Sequence, residues 1–335
     1  MNKITEFYNA SLSYDDTYRY FCAHQTCKQF LSFYGITNPE LYLNTVLDFT
    51  FTLSSEHLYG IHTSINYNPI LPGIVENIYF FNEDYSKIID MNIQQLDKGL
   101  PVIIGVDTYY LPYMDKYQNT HGAHAIFLCG MDYNEAYIID WQPPYYYKGK
   151  IELSTIHDSR KSENAWNFNT NSGGTIQYSS LQLEPNYLYN KIIPIDSFIS
   201  FSIENYYHSN DSNSGFYGLK CAIYQIINMF DFYSDDRTQF YRYLHTLFFP
   251  QYAKKVLFQK HLIKFQDHFD KIPLKKCLNE LNDILLSWNE ILNAFLRIAY
   301  TQRSVKEFIN DLKNMLNSII FSEANLVYAL NTLIK

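Results

Sequence analysis

Long apolar runs are missing from this sequence. No stretch approaches the roughly 18 consecutive apolar residues of a membrane span, and the opening segment MNKITEFYNASLSYDD has no apolar core of the kind a secretory signal carries. Both absences lead to the expectation of a cytoplasmic protein that does not enter membranes. An excess of positive charge is missing too: 26 Lys and Arg against 34 Asp and Glu leave a formal net charge of −8. A general nucleic-acid binder needs a basic face to neutralise phosphates, so that class is set aside. Cysteine is scarce and odd in number. Cys22, Cys27, Cys129, Cys221 and Cys277 are widely scattered, which reads as free thiols in a reducing compartment, at least one of them available for chemistry. No internal repeat is detectable.

What is present is ample core material. Hydrophobic residues make up 47% of 335 residues and charged ones 18%, a balance suited to two compact domains. Aromatics reach 18%, with 32 Tyr and 24 Phe. Some of these rings are expected to line a pocket, since a phenol suits a place dry at one end and wet at the other; general compositional bias is the alternative source.

The first half mixes short strands with few helices. In CAHQTCKQFLSFY (22–34), Cys27, Phe30, Leu31 and Tyr34 recur at helical spacing, and Gly35 supplies the stop. PVIIGV (101–106) reads as a buried strand. HAIFLCGMD (124–132) and AYIID (136–140) read as two strands joined across Tyr133, Asn134 and Glu135. Residues 151–162 suit a strand end and one helix, and 162–186, with Gly173 and Gly174, a polar surface excursion or linker. Beyond about residue 187 the texture changes: 193–207, 215–232, 236–266, 273–300 and 303–334 show helical spacing, with Pro250 and Pro273 as breaks. The expected organisation is α+β, a mixed domain over 1–186 followed by an all-helical domain over 187–335.

A thiol attacks as thiolate, and the first turn of a helix lowers a thiol's pKa through the partial positive charge there. Cys22 occupies that position, five residues ahead of the apolar stripe, whereas Cys27 belongs to the stripe and should face the core; read singly, either suits a small buried hydrophobe. Thiolate chemistry also needs an imidazole and a group to orient it. His124 opens one strand of the expected hairpin and Asp140 closes the other, so both side chains fall at the same rim. His121 is a rival base in a glycine-containing loop. A zinc site from Cys22, Cys27, His121 and His124 is the competing chemistry, though the helical stripe turns Cys27 away from Cys22. The expectation is a Cys22–His124–Asp140 catalytic set, with no metal and no cofactor.

With these residues laid out, the first domain resembles the papain-like cysteine protease fold of two related groups. In the bacteriocin-processing peptidase domain a Cys precedes a Gly by thirteen residues, and a His is followed by Gly at +6 and Asp at +16; here Cys22–Gly35, His124–Gly130 and His124–Asp140 have those spacings. The closer likeness is to the butirosin biosynthesis protein H family. It rests on that frame, on VDTYYLPY (106–113), on Gly130-Met131-Asp132, and on HTLFFPQYAKKVLFQKHLIKF and LLSWNEILNAF in the helical half.

The resemblance implies an amide-forming acyltransferase of natural-product assembly, such as nonribosomal-peptide-like antibiotic biosynthesis. Its donor would be the phosphopantetheine thioester of an acyl or peptidyl carrier protein, and its acceptor a small amine. Cys22 would carry the acyl group, His124 would move the proton, and Asp140 would hold His124. Where related peptidases place a Gln five or six residues before the nucleophile, this chain has Asp16 and Thr17, which leaves the second oxyanion donor open, with Gln25 as a candidate. A cysteine peptidase or thioesterase using the same triad is the alternative, and a non-catalytic binding protein a third reading. The stretch with Lys254, Lys255, Lys260, His261 and Lys264 is the basic candidate for docking an acidic carrier or else a solvated helix face. The tyrosines at 109–110 and 145–147 are candidates for lining an acyl tunnel or for ordinary packing.

Overall fold

The computed structural model describes residues 4–55, 58–66, 68–71, 78–79, 85–164, 178–188, 191–207, 213–230, 237–301 and 306–334. Its main elements in chain order are α1 (Cys22–Phe33), β1 (Thr50–Leu53), β2 (Ile61–Ser64), β3 (Ile78–Tyr79), α2 (Tyr85–Asp97), β4 (Val102–Asp107), β5 (Ala123–Met131), β6 (Glu135–Asp140), β7 (Tyr147–Glu152), α3 (Leu153–Lys161), β8 (Ser180–Leu181), α4 (Pro185–Leu188), α5 (Ser197–Ser202), α6 (Gly215–Met229), α7 (Arg237–Lys264), α8 (Lys271–Tyr300) and α9 (Lys306–Leu333). Helix and antiparallel sheet coexist, as expected of an α+β chain. Contacts divide it into two compact units, residues 1–44 with 68–193, and residues 45–67 with 194–335.

The first unit is built on a six-stranded sheet ordered β3-β8-β4-β5-β6-β7, with antiparallel pairing throughout. The pleat sends alternate residues to opposite faces. Ile104, Val106, Ile126, Leu128 and Ile138 lie in one core with Leu96 of α2 and Ile156 of α3. On the other parity, Phe127 meets Phe7 at 4.5 Å between ring centroids, and Phe7 meets Phe30 of α1 at 6.4 Å. So α1 covers one face, and α2 and α3 cover the other. The central strands are buried on both sides, which is why they read as continuous apolar runs. β8 reaches only Ile103 and Ile104 of β4. At the far end of β4, Ser159 of α3 bonds the strand's backbone: its hydroxyl accepts from the Asp107 N–H at 2.8 Å and donates to the Asp107 carbonyl at 2.9 Å.

Element boundaries match the sequence reading within a few residues. Gly35, at φ 73°, ends α1 as expected, since a left-handed residue after the last turn favours glycine. The β5–β6 turn is held by Asp132, whose Oδ1 accepts the N–H groups of Asn134 and Glu135 at 3.0 and 2.8 Å. The central part of the expected excursion over 162–186, with Gly173 and Gly174, lies outside the described residues. The helix expected over 193–207 is α5 followed by a π-helical turn, Ile203–Tyr207.

The second unit is not wholly helical. It takes residues 45–67 from the first half, with a β1–β2 hairpin. Polar contacts tie that segment to the helices. Thr63 Oγ1 donates to the Leu247 carbonyl at 2.7 Å, Gln251 Nε2 to the Asp48 carbonyl at 3.0 Å, and Tyr243 Oη to the Ile61 carbonyl. A strand's own sequence shows that one face must be buried, not which helices bury it. In the second half of the chain the division between the two units falls between residues 193 and 194.

The basic stretch of α7 is split: Lys264 is exposed and Lys260 half-buried, whereas its other three members are interior. Lys254 and Lys255 are both 0% exposed and His261 2%. Lys255 Nζ pairs with Glu323 at 2.9 Å, Trp288 Nε1 donates to the same Glu323 oxygen at 3.1 Å, and Lys254 donates to the Asn66 carbonyl at 3.2 Å. Buried cations persist only where partners replace water, so these lysines are core residues. No helix among the described residues is long and apolar enough to cross a membrane.

Candidate active site

The start of α1 is fixed from outside the helix. Phe21 keeps a non-helical backbone (φ −135°, ψ 78°), and the first intrahelical bond runs from the Gln25 N–H to its carbonyl at 3.1 Å. Tyr18 and Phe21 are buried ahead of the helix. Asp15 accepts from the Thr17 N–H at 2.9 Å and pairs with Lys28, which also reaches Glu40 at 3.2 Å. His24 bonds the Asn44 carbonyl at 2.8 Å. Cys22 thus begins the helix, where the N–H groups of the first turn have no intrahelical partner and the macrodipole favours negative charge.

The antiparallel ladder then delivers the histidine and the aspartate. Phe127 pairs with Ile139 and Leu128 with Ile138, so the start of β5 and the end of β6 lie at one rim of the sheet. There His124 Nε2 and Asp140 Oδ2 are 2.9 Å apart, both residues buried. The Cys22 thiol interacts with His124, whose hydrogen bond and charge both act on it.

The electrostatics follow from this arrangement. Burial would raise the Cys22 thiol, but the hydrogen bond and charge of His124, with the Ala125 backbone N–H, outweigh it and lower the thiol's pKa. Burial would lower His124, but the charge and hydrogen bond of Asp140, reinforced by Cys22, push it up to about 10. Both shifts have the same meaning: the site favours a thiolate beside an imidazolium. Such a pair can attack an electrophilic carbonyl and return a proton to the leaving group.

The other sequence candidates sort out by environment. Cys27 is wholly buried in α1 and pushed well above the usual thiol range by burial, then by the nearby Cys22, so it is no nucleophile. Burial likewise raises Cys129 and Cys277. His121 has its own aspartate, with Nδ1 at 2.6 Å from Asp107 Oδ2, and stacks on Tyr109 at 4.2 Å. Asp107 also accepts from Ser162 Oγ and from the N–H groups of Tyr109 and Gly122. Gln25 is turned toward the backbone of the 13–15 segment, within reach of the Ser13 carbonyl at 3.4 Å, and offers no oxyanion donor. Among the described residues no three His, Cys, Asp or Glu side chains form a group that could hold a metal ion.

Two tyrosines stand at the site: Tyr145, one of the sequence's candidates for tunnel lining, and Tyr113, which carries no role of its own in the sequence reading. Tyr113 Oη donates to Asp140 Oδ2 at 3.0 Å, and Tyr145 presents its ring to His124 at 6.1 Å with 67° between planes. Tyr113 ends the motif VDTYYLPY and Tyr145 belongs to the tyrosine run. That motif was the available signal, but no spacing rule says which phenol meets the aspartate.

Residues 83–141 match the family model for the N-terminal part of butirosin biosynthesis protein H. The likeness to that family seen in the motifs is therefore found independently over a segment that includes His124, Asp140 and Tyr113, with Cys22 outside it. No curated protein matches the chain.

Proposed function

We propose, taking the likeness to butirosin biosynthesis protein H as the premise, that this chain is a biosynthetic cysteine acyltransferase with a papain-like catalytic unit. The observation that carries the reading is the Cys22–His124–Asp140 arrangement: a thiol at a helix start, lowered in pKa by a buried histidine that is itself 2.9 Å from a buried carboxylate. The donor class is a thioester on the phosphopantetheine arm of a carrier protein, and the acceptor is a small amine. A role in antibiotic biosynthesis follows from the same premise.

The steps balance as follows. The Cys22 thiolate adds to the thioester carbonyl, and the Cys22 backbone N–H faces the developing oxyanion. The carbon–sulfur bond to pantetheine breaks, and the departing thiolate takes the proton from His124. An amine then adds to the acyl-Cys22 carbonyl and gives a proton to His124. The Cys22–acyl bond breaks, leaving an amide and restoring the thiolate–imidazolium pair. Asp140 keeps His124 in one tautomer throughout. Exchange between two thioesters is nearly isoenergetic, and amide formation draws the sequence forward.

Intact-protein mass spectrometry after incubation with acyl-pantetheine thioesters tests this on wild type, Cys22→Ala and Cys27→Ala. The expected result is an acyl adduct lost only in Cys22→Ala and discharged faster by added amines than by water. Discharge by water at the same rate with and without amine would make the enzyme a thioesterase. No adduct with any thioester would overturn the transferase reading.

A further inference from the structure

We infer that Tyr113 is a positioning residue that tunes Asp140, and through it the readiness of His124 to release its proton; this rests on the catalytic reading of Cys22, His124 and Asp140 given above. The geometry is a shared oxygen. Asp140 is 1% exposed, and its Oδ2 receives both His124 Nε2 at 2.9 Å and Tyr113 Oη at 3.0 Å. These two side chains are its hydrogen-bond partners among the described residues.

The phenol is held on that oxygen. The Tyr113 ring stacks on Tyr147 at 4.1 Å with 9° between planes, and Tyr147 is the register partner of Asp140 across β6 and β7. Leu111 and Met114, on either side of Tyr113 in the chain, are buried. The other polar groups facing the site are committed elsewhere. Tyr145 Oη donates to Asp115 at 3.1 Å, Tyr147 Oη donates to the Lys150 carbonyl at 2.9 Å, and Cys22 interacts with His124. Tyr113 is the phenol that reaches Asp140. Burial, then the charge of Asp140, raises it well above its ordinary range, so it remains a donor.

The consequence follows from competition for one carboxylate. A hydrogen bond from the phenol offsets part of the negative charge that Asp140 presents to the imidazolium. Without it, that charge falls more fully on His124, which then holds its proton more tightly. Acyl transfer to Cys22 starts from the thiolate–imidazolium pair and is little affected. Discharge to an amine needs His124 neutral, able to take the amine's proton, and it slows. Tyr113 therefore works against the tendency of a buried aspartate to lock its histidine in the charged form.

Tyr113→Phe keeps the ring and its stack and deletes only the hydroxyl. The first measurement is the histidine-ring NMR titration of the full chain, with His124→Gln assigning the signal. The expected result is a rise of about one pH unit in the His124 inflection. The second is the two half-reactions by mass spectrometry: acyl-Cys22 formation within about threefold of wild type, and discharge to an amine slowed about tenfold near neutrality and recovering at higher pH. An unmoved or lowered inflection overturns the inference and leaves Tyr113 a packing residue. Should Tyr113→Phe fail to fold, 3-fluorotyrosine at position 113, a stronger donor of nearly the same shape, must shift the inflection downward. The titration needs no acyl donor. Absence of acylation thus defeats the transferase reading alone, and an unmoved titration with normal acylation defeats this inference alone.

Discussion

Two histidine–aspartate pairs sit at the same end of the sheet, three residues apart in sequence, and they are built for different work. Asp107 is saturated: His121, Ser162 and the backbone N–H groups of Tyr109 and Gly122 all bond its carboxylate. Two of those partners are backbone, so its charge ties the loop after β4 to the start of β5. Asp140 receives two side chains on one oxygen, and its histidine faces a thiol. The His121 side chain is 32% exposed and the His124 side chain 8%. The same two residue types make a loop clamp in one place and the proposed thiolate–imidazolium site in the other, because the environment decides what each carboxylate serves.

Substituting the histidines should separate the pairs most widely. His124→Gln is expected to lower acylation of Cys22 by about 10³-fold or more, and His121→Gln to leave it within about threefold, both read as adduct formation by mass. Equal losses would make the two pairs one functional unit. The aspartates come next. Asp140→Asn should reduce turnover by roughly 10³-fold with little change in urea midpoint, since an amide favours the wrong tautomer. Asp107→Asn should instead cost about 2 kcal/mol of stability, because an amide N–H₂ then faces buried donors.

A smaller effect lies in pH. The folded state raises His124 from 6.5 to about 10, so its stabilising contribution is fully present below about pH 6.5 and is lost as pH rises through about 10. Measured in a Cys22→Ala background, which removes the thiol's opposite-signed titration and also its share of the upward push on His124, urea midpoints should fall as pH rises above about 6.5, over a window that closes below 10. Adding Asp140→Asn should flatten the fall. The smallest effect concerns the second cysteine of α1. Cys27→Ala should cost about 1 kcal/mol from lost packing while iodoacetamide still modifies Cys22 at the wild-type rate.

Much of the candidate site was legible in the sequence because its parts obey local rules. Helical spacing placed Cys22 ahead of the stripe and Cys27 within it, and the structure finds one thiol lowered and the other raised. Hairpin geometry placed His124 and Asp140 at one rim, where they meet at 2.9 Å. The misses are groups whose partners lie far off in sequence. Lys254 and Lys255 read as a solvated or docking face because charge alone says nothing of the Asn66 carbonyl that accepts from Lys254 or the Glu323 carboxylate that pairs with Lys255. The β1–β2 segment, read with the first half, packs with the second unit.

By itself the sequence determined the α+β class, the helix that begins at Cys22, the strands bearing His124 and Asp140, and the likeness to butirosin biosynthesis protein H; all depend on periodicity, turn chemistry and spacing within a few dozen residues. Only the tertiary structure decided which tyrosine reaches Asp140 and which cations are interior. Those outcomes depend on burial and on partners brought together from distant segments, and a charge or a phenol acquires its role only once its surroundings have replaced water.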